Sequence, residues 1–182
     1  CSTISAFTLA PSSTGVPTNT IWLQVEDSLG LTHNTSTTVT IYDNSPTASF
    51  TALPNPADCG QTVNFDASGS SHGHPDRSIV RYDWDFGDGN SIADGPSNPT
   101  HDFGAVPDSY TVTLTVYDDN GVPQGDSTQV AVNYGGDAPT WYQDLDGDGF
   151  GDPAVFVVEC GQPSGYVAND TDNCVGEFNP DQ

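Results

Sequence analysis

Apolar and polar residues alternate with period two in short runs, and no run repeats at helical spacing. Residues 20–26 (TIWLQVE) and 37–42 (TTVTIY) read as strands, as do 62–65, 79–86, 110–117 and 129–132. Between the runs stand Asp43-Asn44-Ser45-Pro46, Gly87-Asp88-Gly89-Asn90 and Asp118-Asp119-Asn120-Gly121, residue types that turn a chain. Many short strands with such punctuation predict an all-β fold of the sandwich type. Within 79–86 the alternation puts Trp84 and Phe86 inward and Asp83 and Asp85 outward, and Gly87 to Gly89 then supply a positive-φ turn.

The pattern divides the chain into 1–44, 45–135 and 136–182, with Gly135-Gly136-Asp137-Ala138-Pro139 as a linker. The first segment is too short for a sandwich, which needs about seven strands and roughly 100 residues. Its Leu23-Gln24-Val25-Glu26-Asp27-Ser28-Leu29-Gly30-Leu31 and following Thr38-Val39-Thr40-Ile41 read as the last hairpin of such a domain. They echo Leu114-Thr115-Val116-Tyr117-Asp118-Asp119-Asn120-Gly121-Val122 and Gln129-Val130-Ala131-Val132, about 91 residues further on. The expectation is a partial β-domain over 1–44, interrupted in this sequence or completed by another chain through β-augmentation. Residues 136–182 hold little core-forming sequence and are expected to be irregular.

Charge narrows the function classes. The 182 residues include 2 basic and 25 acidic side chains, a formal net charge of -23. A polyanion repels phosphate, so nucleic acid and anionic membrane surfaces are excluded as partners. The two basic residues are Arg77 and Arg81, and without lysine there is no Schiff-base chemistry and no Walker-type loop. No stretch is long and apolar enough to span a membrane. Cation binding, neutral or basic partners and a mechanical role remain.

Tyr82-Asp83-Trp84-Asp85-Phe86-Gly87-Asp88-Gly89 resembles the signature of polycystic-kidney-disease (PKD) repeats. The order of the surrounding pieces agrees: Pro46-Thr47-Ala48-Ser49-Phe50, then 63–70 (VNFDASGS), and after the signature Thr100-His101-Asp102-Phe103 and 110–116 (YTVTLTV). The resemblance covers about half the chain and implies an immunoglobulin-like β-sandwich over 45–135. Such modules are found mostly outside cells, as spacers or adhesive domains, often beside secreted hydrolases. Some relatives bind calcium near the positions of Asn44 and Asp76, but here that loop reads His72-Gly73-His74-Pro75-Asp76.

The strongest chemical signal is Asp144-Leu145-Asp146-Gly147-Asp148-Gly149-Phe150-Gly151-Asp152. Asp144, Asp146, Asp148 and Asp152, with the backbone carbonyl of Phe150, form a set of hard oxygen donors, and the glycines let one loop wrap them around a cation. Calcium suits this set; zinc wants nitrogen or sulfur, and magnesium demands a stricter octahedron. Val155 stands where an EF-hand would need glutamate. The tail 169–182 (NDTDNCVGEFNPDQ) is similar to a thrombospondin type 3 repeat. By that resemblance Asp170 or Asp172 returns to complete the cage, and Asp181 opens a next site. Without metal the carboxylates repel, so this segment is expected to fold only with cation bound.

Cys160 and Cys174 bracket the tail and are expected to pair, leaving Cys1 and Cys59. Disulfides and calcium both point outside the cytoplasm. Gly69-Ser70-Ser71-His72-Gly73 matches a nucleophile-elbow pattern but lacks the helix that must follow, and His72 with His74 could hold a transition metal. The sequence therefore points to a non-catalytic, extracellular, calcium-binding structural or adhesive array on a surface or secreted protein. Two alternatives are an ancillary region of a secreted hydrolase, with Trp141, Tyr142 and Tyr166 on a polysaccharide or protein matrix, and a filament subunit that accepts strands from copies of itself.

Overall fold

The computed structural model describes residues 18–119 and 125–182. Every regular element among them is a strand, and no helix is long and apolar enough to cross a membrane. Two strands, β1 (Thr18–Glu26) and β2 (Thr32–Thr40), form an isolated antiparallel hairpin. Asp27 closes its turn by accepting the amides of Leu29 and Leu31 on Oδ1, at 2.8 and 3.0 Å. Neighbouring side chains on its two faces are exposed, Trp22 at 72% and Leu23 at 52%. The expected hairpin is present; Cys1 and the rest of 1–17 lie outside the described residues.

The sandwich follows. Its strands are β3 (Pro46–Thr47), β4 (Thr51–Leu53), β5 (Val63–Asp66), β6 (Ser71–His72), β7 (Ile79–Asp85), β8 (Ser91–Gly95), β9 (Thr100–His101), β10 (Asp108–Asp118) and β11 (Gly125–Tyr134). One sheet runs β11-β10-β7-β8; β4-β5-β9 and the short pair β3-β6 make up the facing layer. Period-two alternation on β10 sends Val112, Leu114 and Val116 to full burial, and Trp84 and Phe86 are 1% exposed beside them. Phe50 meets Trp84 edge-on at 5.2 Å, and Phe65 packs against both Trp84 (5.5 Å) and Phe86 (5.4 Å). Trp84 Nε1 donates to the Pro96 carbonyl at 3.0 Å, which satisfies the ring's one polar atom. Gly87 and Gly89 adopt φ of 79° and 93°, the turn the sequence predicts.

His101 lies flat on Phe86, with ring centres 4.0 Å apart, and its Nε2 reaches Asp88 Oδ2 at 2.7 Å. Burial pushes the Asp88 carboxyl up, but hydrogen bonds from His101 and from the Asn90 amide and side chain outweigh it and hold the group below the usual carboxylate range. A carboxyl lowered in the folded state stabilises the fold above its unfolded pKa and loses that contribution as pH falls. Acid unfolding followed by tryptophan fluorescence is therefore expected to show a slope below about pH 4 that Asp88→Asn flattens. An identical slope in the variant would assign it to other carboxyls.

The edge of β11 is covered at residues 131–133. Asn55 Nδ2 donates to the Ala131 carbonyl (2.9 Å), Asn55 Oδ1 accepts the Asn133 amide (3.0 Å), and the Ala57 amide donates to the Asn133 carbonyl (2.9 Å).

The acidic segment is more ordered than its composition announces. β12 (Thr140–Gln143), β13 (Asp152–Val158) and β14 (Tyr166–Val167) form a three-stranded sheet in the order β13-β12-β14. The apolar run Val155-Phe156-Val157-Val158 supplies β13, and Tyr142 packs near Phe156 at 6.2 Å. The expected Cys160–Cys174 bond is not made. Cys160 instead bonds Cys59, 101 residues earlier, with their Cα atoms 5.1 Å apart, and Cys174 is an exposed free thiol. The reason is position: the chain leaving β13 runs back to the base of the sandwich, where the Cys160 amide donates to the Ala105 carbonyl (2.8 Å). Asp137 Oδ1 accepts the Cys59 amide (2.8 Å) at the same joint.

Candidate metal centre

β12 delivers Asp144 and β13 carries the chain away from Asp152, so residues 144–151 form the loop that joins two paired strands. Positive φ at Gly147 (79°) and Gly149 (92°) folds this loop back on itself. Asp144 organises it from within: Oδ1 accepts the amides of Gly147 (2.8 Å) and Asp148 (3.2 Å), and Oδ2 accepts that of Gly149 (3.1 Å). Asp146 Oδ1 accepts the Asp148 amide (3.3 Å), and Asp148 Oδ1 accepts the Phe150 amide (3.0 Å). Each of the three aspartates is thereby turned so that one oxygen apiece lies within 4.8 Å of the others. All three are half-buried.

The tail closes over the loop. The Asp172 amide donates to the Gly151 carbonyl (3.2 Å), and Asp172 itself is 8% exposed. Its Oδ1 accepts the Cys174 amide (2.8 Å), while its Oδ2, like Asp146 Oδ2, is buried with no hydrogen-bond partner. A buried carboxylate oxygen without a donor is unfavourable by about 1–3 kcal/mol or more, so one on the loop and one on the tail that closes over it call for a positive charge.

Of the predicted ligands, Asp144, Asp146 and Asp148 come together. Asp172 is buried in the tail but lies outside this trio, and Asp170 is exposed. Asp152 lies outside the trio and accepts the Ala154 amide at the start of β13 (2.8 Å). Phe150 is half-buried, and its described bond is the amide donated to Asp148.

Four further residues, none of them among the predicted ligands as side chains, hold the loop and tail together. Asn169 bridges the tail to the loop, donating from Nδ2 to the Gly149 carbonyl (2.9 Å) and accepting the Gly151 amide on Oδ1 (3.3 Å). The Asn179 amide and Gln182 Nε2 donate to Asp148 Oδ2 at 3.1 and 3.3 Å. Gly151 permits the approach, because a Cβ there would meet the Asn169 carbonyl oxygen at 2.5 Å and collide with Tyr142 Cβ. Two residues of the Asn-Pro-Asp-Gln motif, Asn179 and Gln182, thus bind the aspartate loop.

The other chemical candidates resolve differently. His72 Nδ1 accepts the His74 amide (3.0 Å), so its Nε2 carries the proton and donates to Asp118 Oδ2 (3.1 Å). Both ring nitrogens of His72 are engaged, and His74 Nδ1 accepts the Asp76 amide (3.1 Å), so the pair is not arranged around a transition metal. Ser71 lies in the two-residue strand β6 with no helix behind it, which removes the nucleophile elbow. Trp141, Tyr142 and Tyr166 are half-buried, and Trp141 Nε1 donates to the Glu159 carbonyl at 3.0 Å.

Among solved structures, similar chains include one from work on carbohydrate-binding modules of the β-sandwich superfamily and their promiscuous specificity. The match is at 28% identity and a TM-score of 0.48, over 59% of this chain and 41% of that one. Others are the PKD1 domain of Vibrio anguillarum Epp (27% identity, TM-score 0.42, 51% of this chain and 96% of that one) and the PKD1 domain of Vibrio cholerae metalloprotease PrtV (29%, 0.39, 50% and 98%). The family model for the PKD domain matches residues 43–132, the stretch that contains β3 to β10, most of β11 and the Trp84–Phe86 signature. The sandwich of this chain is a PKD domain, and the aspartate loop belongs to the segment that follows it.

Proposed function

We propose that this chain is a non-catalytic, extracellular, calcium-binding structural module, in which a PKD spacer is joined to a segment similar to thrombospondin type 3 repeats. One observation carries the reading: three aspartates within 4.8 Å of one another, with unpartnered buried oxygens on Asp146 and Asp172. All-oxygen donors with backbone amides fixing their outer lone pairs suit calcium, which accepts irregular geometry and six to eight oxygens. The Cys59–Cys160 disulfide fits an oxidising compartment.

Calorimetric titration with calcium is expected to give heat that Asp146→Asn and Asp172→Asn each abolish or strongly weaken. Calcium at a hundredfold excess over its Kd stabilises the bound segment by about 2.7 kcal/mol. Thermal unfolding with calcium and with chelator should therefore separate. No heat, and superimposed melting curves, would reduce the chain to a PKD spacer with a solvated acidic tail.

A second reading, a filament subunit completed by strands from a neighbouring copy, is supported by the hairpin β1–β2. Leu23 and Val25 are 52% and 51% exposed, whereas Leu114 and Val116, their counterparts in the 91-residue echo, are fully buried in the sandwich. Size-exclusion chromatography with light scattering tests it: higher oligomers that Leu23→Asp disperses are expected, and a monomer at all concentrations excludes it.

A further inference from the structure

The bond between Cys59 and Cys160 changes which residues connect the two ends of the molecule. Along the shortest covalent route, the chain runs to Cys59, crosses the disulfide and continues from Cys160 to Gln182. Residues 60–159 lie off that route. They contain the whole sheet β11-β10-β7-β8, together with β5, β6, β9, β12, β13 and the aspartate loop. On the route lie β1 to β4 and the tail 161–182.

The tail is held by contacts already described, and each joins it to the region off the route. β14 pairs with β12 at Tyr142 with Val167 and Gln143 with Tyr166. Asn169 binds Gly149 and Gly151, Asp172 binds Gly151, and Asn179 and Gln182 bind Asp148. On the upstream side, β4 pairs with β5 and β3 with β6, and Ala48, Asn55 and Ala57 hydrogen-bond to β11. Tension between the ends therefore meets these bonds first, and its covalent path does not run through the sheet that holds Trp84 and Leu114.

We propose that Cys59–Cys160 is a load bypass: it removes the main sheet of the sandwich from the path of tension and directs that tension onto the grip between the tail and the aspartate loop. A load-bearing role rests on the structural function proposed above; the bypass itself needs no metal. A bound cation that engages both Asp146 and Asp172 would lie across the seam being pulled, so its removal weakens the tail and leaves the sheet untouched.

The test is to stretch the full chain in optical tweezers by handles at its two ends, with calcium present, before and after reductant. The oxidised chain is expected to release roughly 36 nm less on full extension than the reduced one, at about 3.6 Å for each of the 101 residues of separation. The sheet's unfolding event should appear only after reduction or in the Cys59→Ser/Cys160→Ser variant. Equal released lengths overturn the bypass. Adding chelator to the oxidised chain should lower the force of the first short event, the loss of the tail, which releases at most about 8 nm. If that force does not move, the metal grip and the function proposed above fall, while the 36 nm difference continues to decide the bypass on its own.

Discussion

Trp84→Ala is expected to destabilise the PKD domain by about 3–5 kcal/mol, the range for deleting a large aromatic from a close-packed core. Three features put the site near the upper end. The ring is 1% exposed, it contacts both Phe50 and Phe65, and its Nε1 satisfies the Pro96 carbonyl. Truncation opens a cavity in the middle of β7, where β8 and β10 hold the backbone from both sides and prevent collapse. Urea titration followed by circular dichroism would show the midpoint falling at unchanged slope. Leu53→Ala, at a position 64% exposed, should cost under about 0.5 kcal/mol in the same experiment. A Trp84→Ala loss below 1 kcal/mol would mean that the aromatic cluster is not the centre of the core.

Reduction of Cys59–Cys160, or its removal in the double serine variant, is expected to lower stability by about 4–5 kcal/mol. That is the chain-entropy figure for a closed loop near 100 residues, against about 3 for a loop of some 15. The size follows from the partner: a bond from Cys160 to Cys174 would have closed a short tail loop, whereas the bond to Cys59 closes most of the PKD domain. Denaturant midpoints with and without reductant measure it. Cys174→Ser supplies the control, since an exposed free thiol at that position should leave the midpoint unchanged. A large effect of Cys174→Ser with none from Cys59→Ser would restore the tail pairing.

The sequence carried the sandwich well because its signals are local. The alternation in 79–86 placed Trp84 and Phe86 inside before any fold was known, and the strand read over 110–117 buries Val112, Leu114 and Val116 by the same alternation. The aspartate trio was legible for the same reason, since residues two apart in a glycine-rich loop meet without help from the rest of the chain. What failed depended on distance. Cys59 and Cys160 are brought together only by the return of β13 to the sandwich base, and no spacing encodes that. Asn169 and Asn179 stand in the tail motif, but their role as ties to the aspartate loop appears only when the tail folds back onto it. The sheet β13-β12-β14 was hidden by composition: its strands are short and lie beside carboxylates that dominate any average over the segment.

The coverage of the β11 edge by Asn55 and Ala57 has a consequence for crowded assemblies. A chain of net charge -23 keeps its neighbours apart by repulsion in dilute buffer, but that repulsion reaches only about 3 Å in molar salt. A hydrogen-bonded side chain covering backbone donors and acceptors does not fade with ionic strength. At residues 131–133 this edge therefore stays closed to a neighbouring strand even in brine, where charge alone would fail.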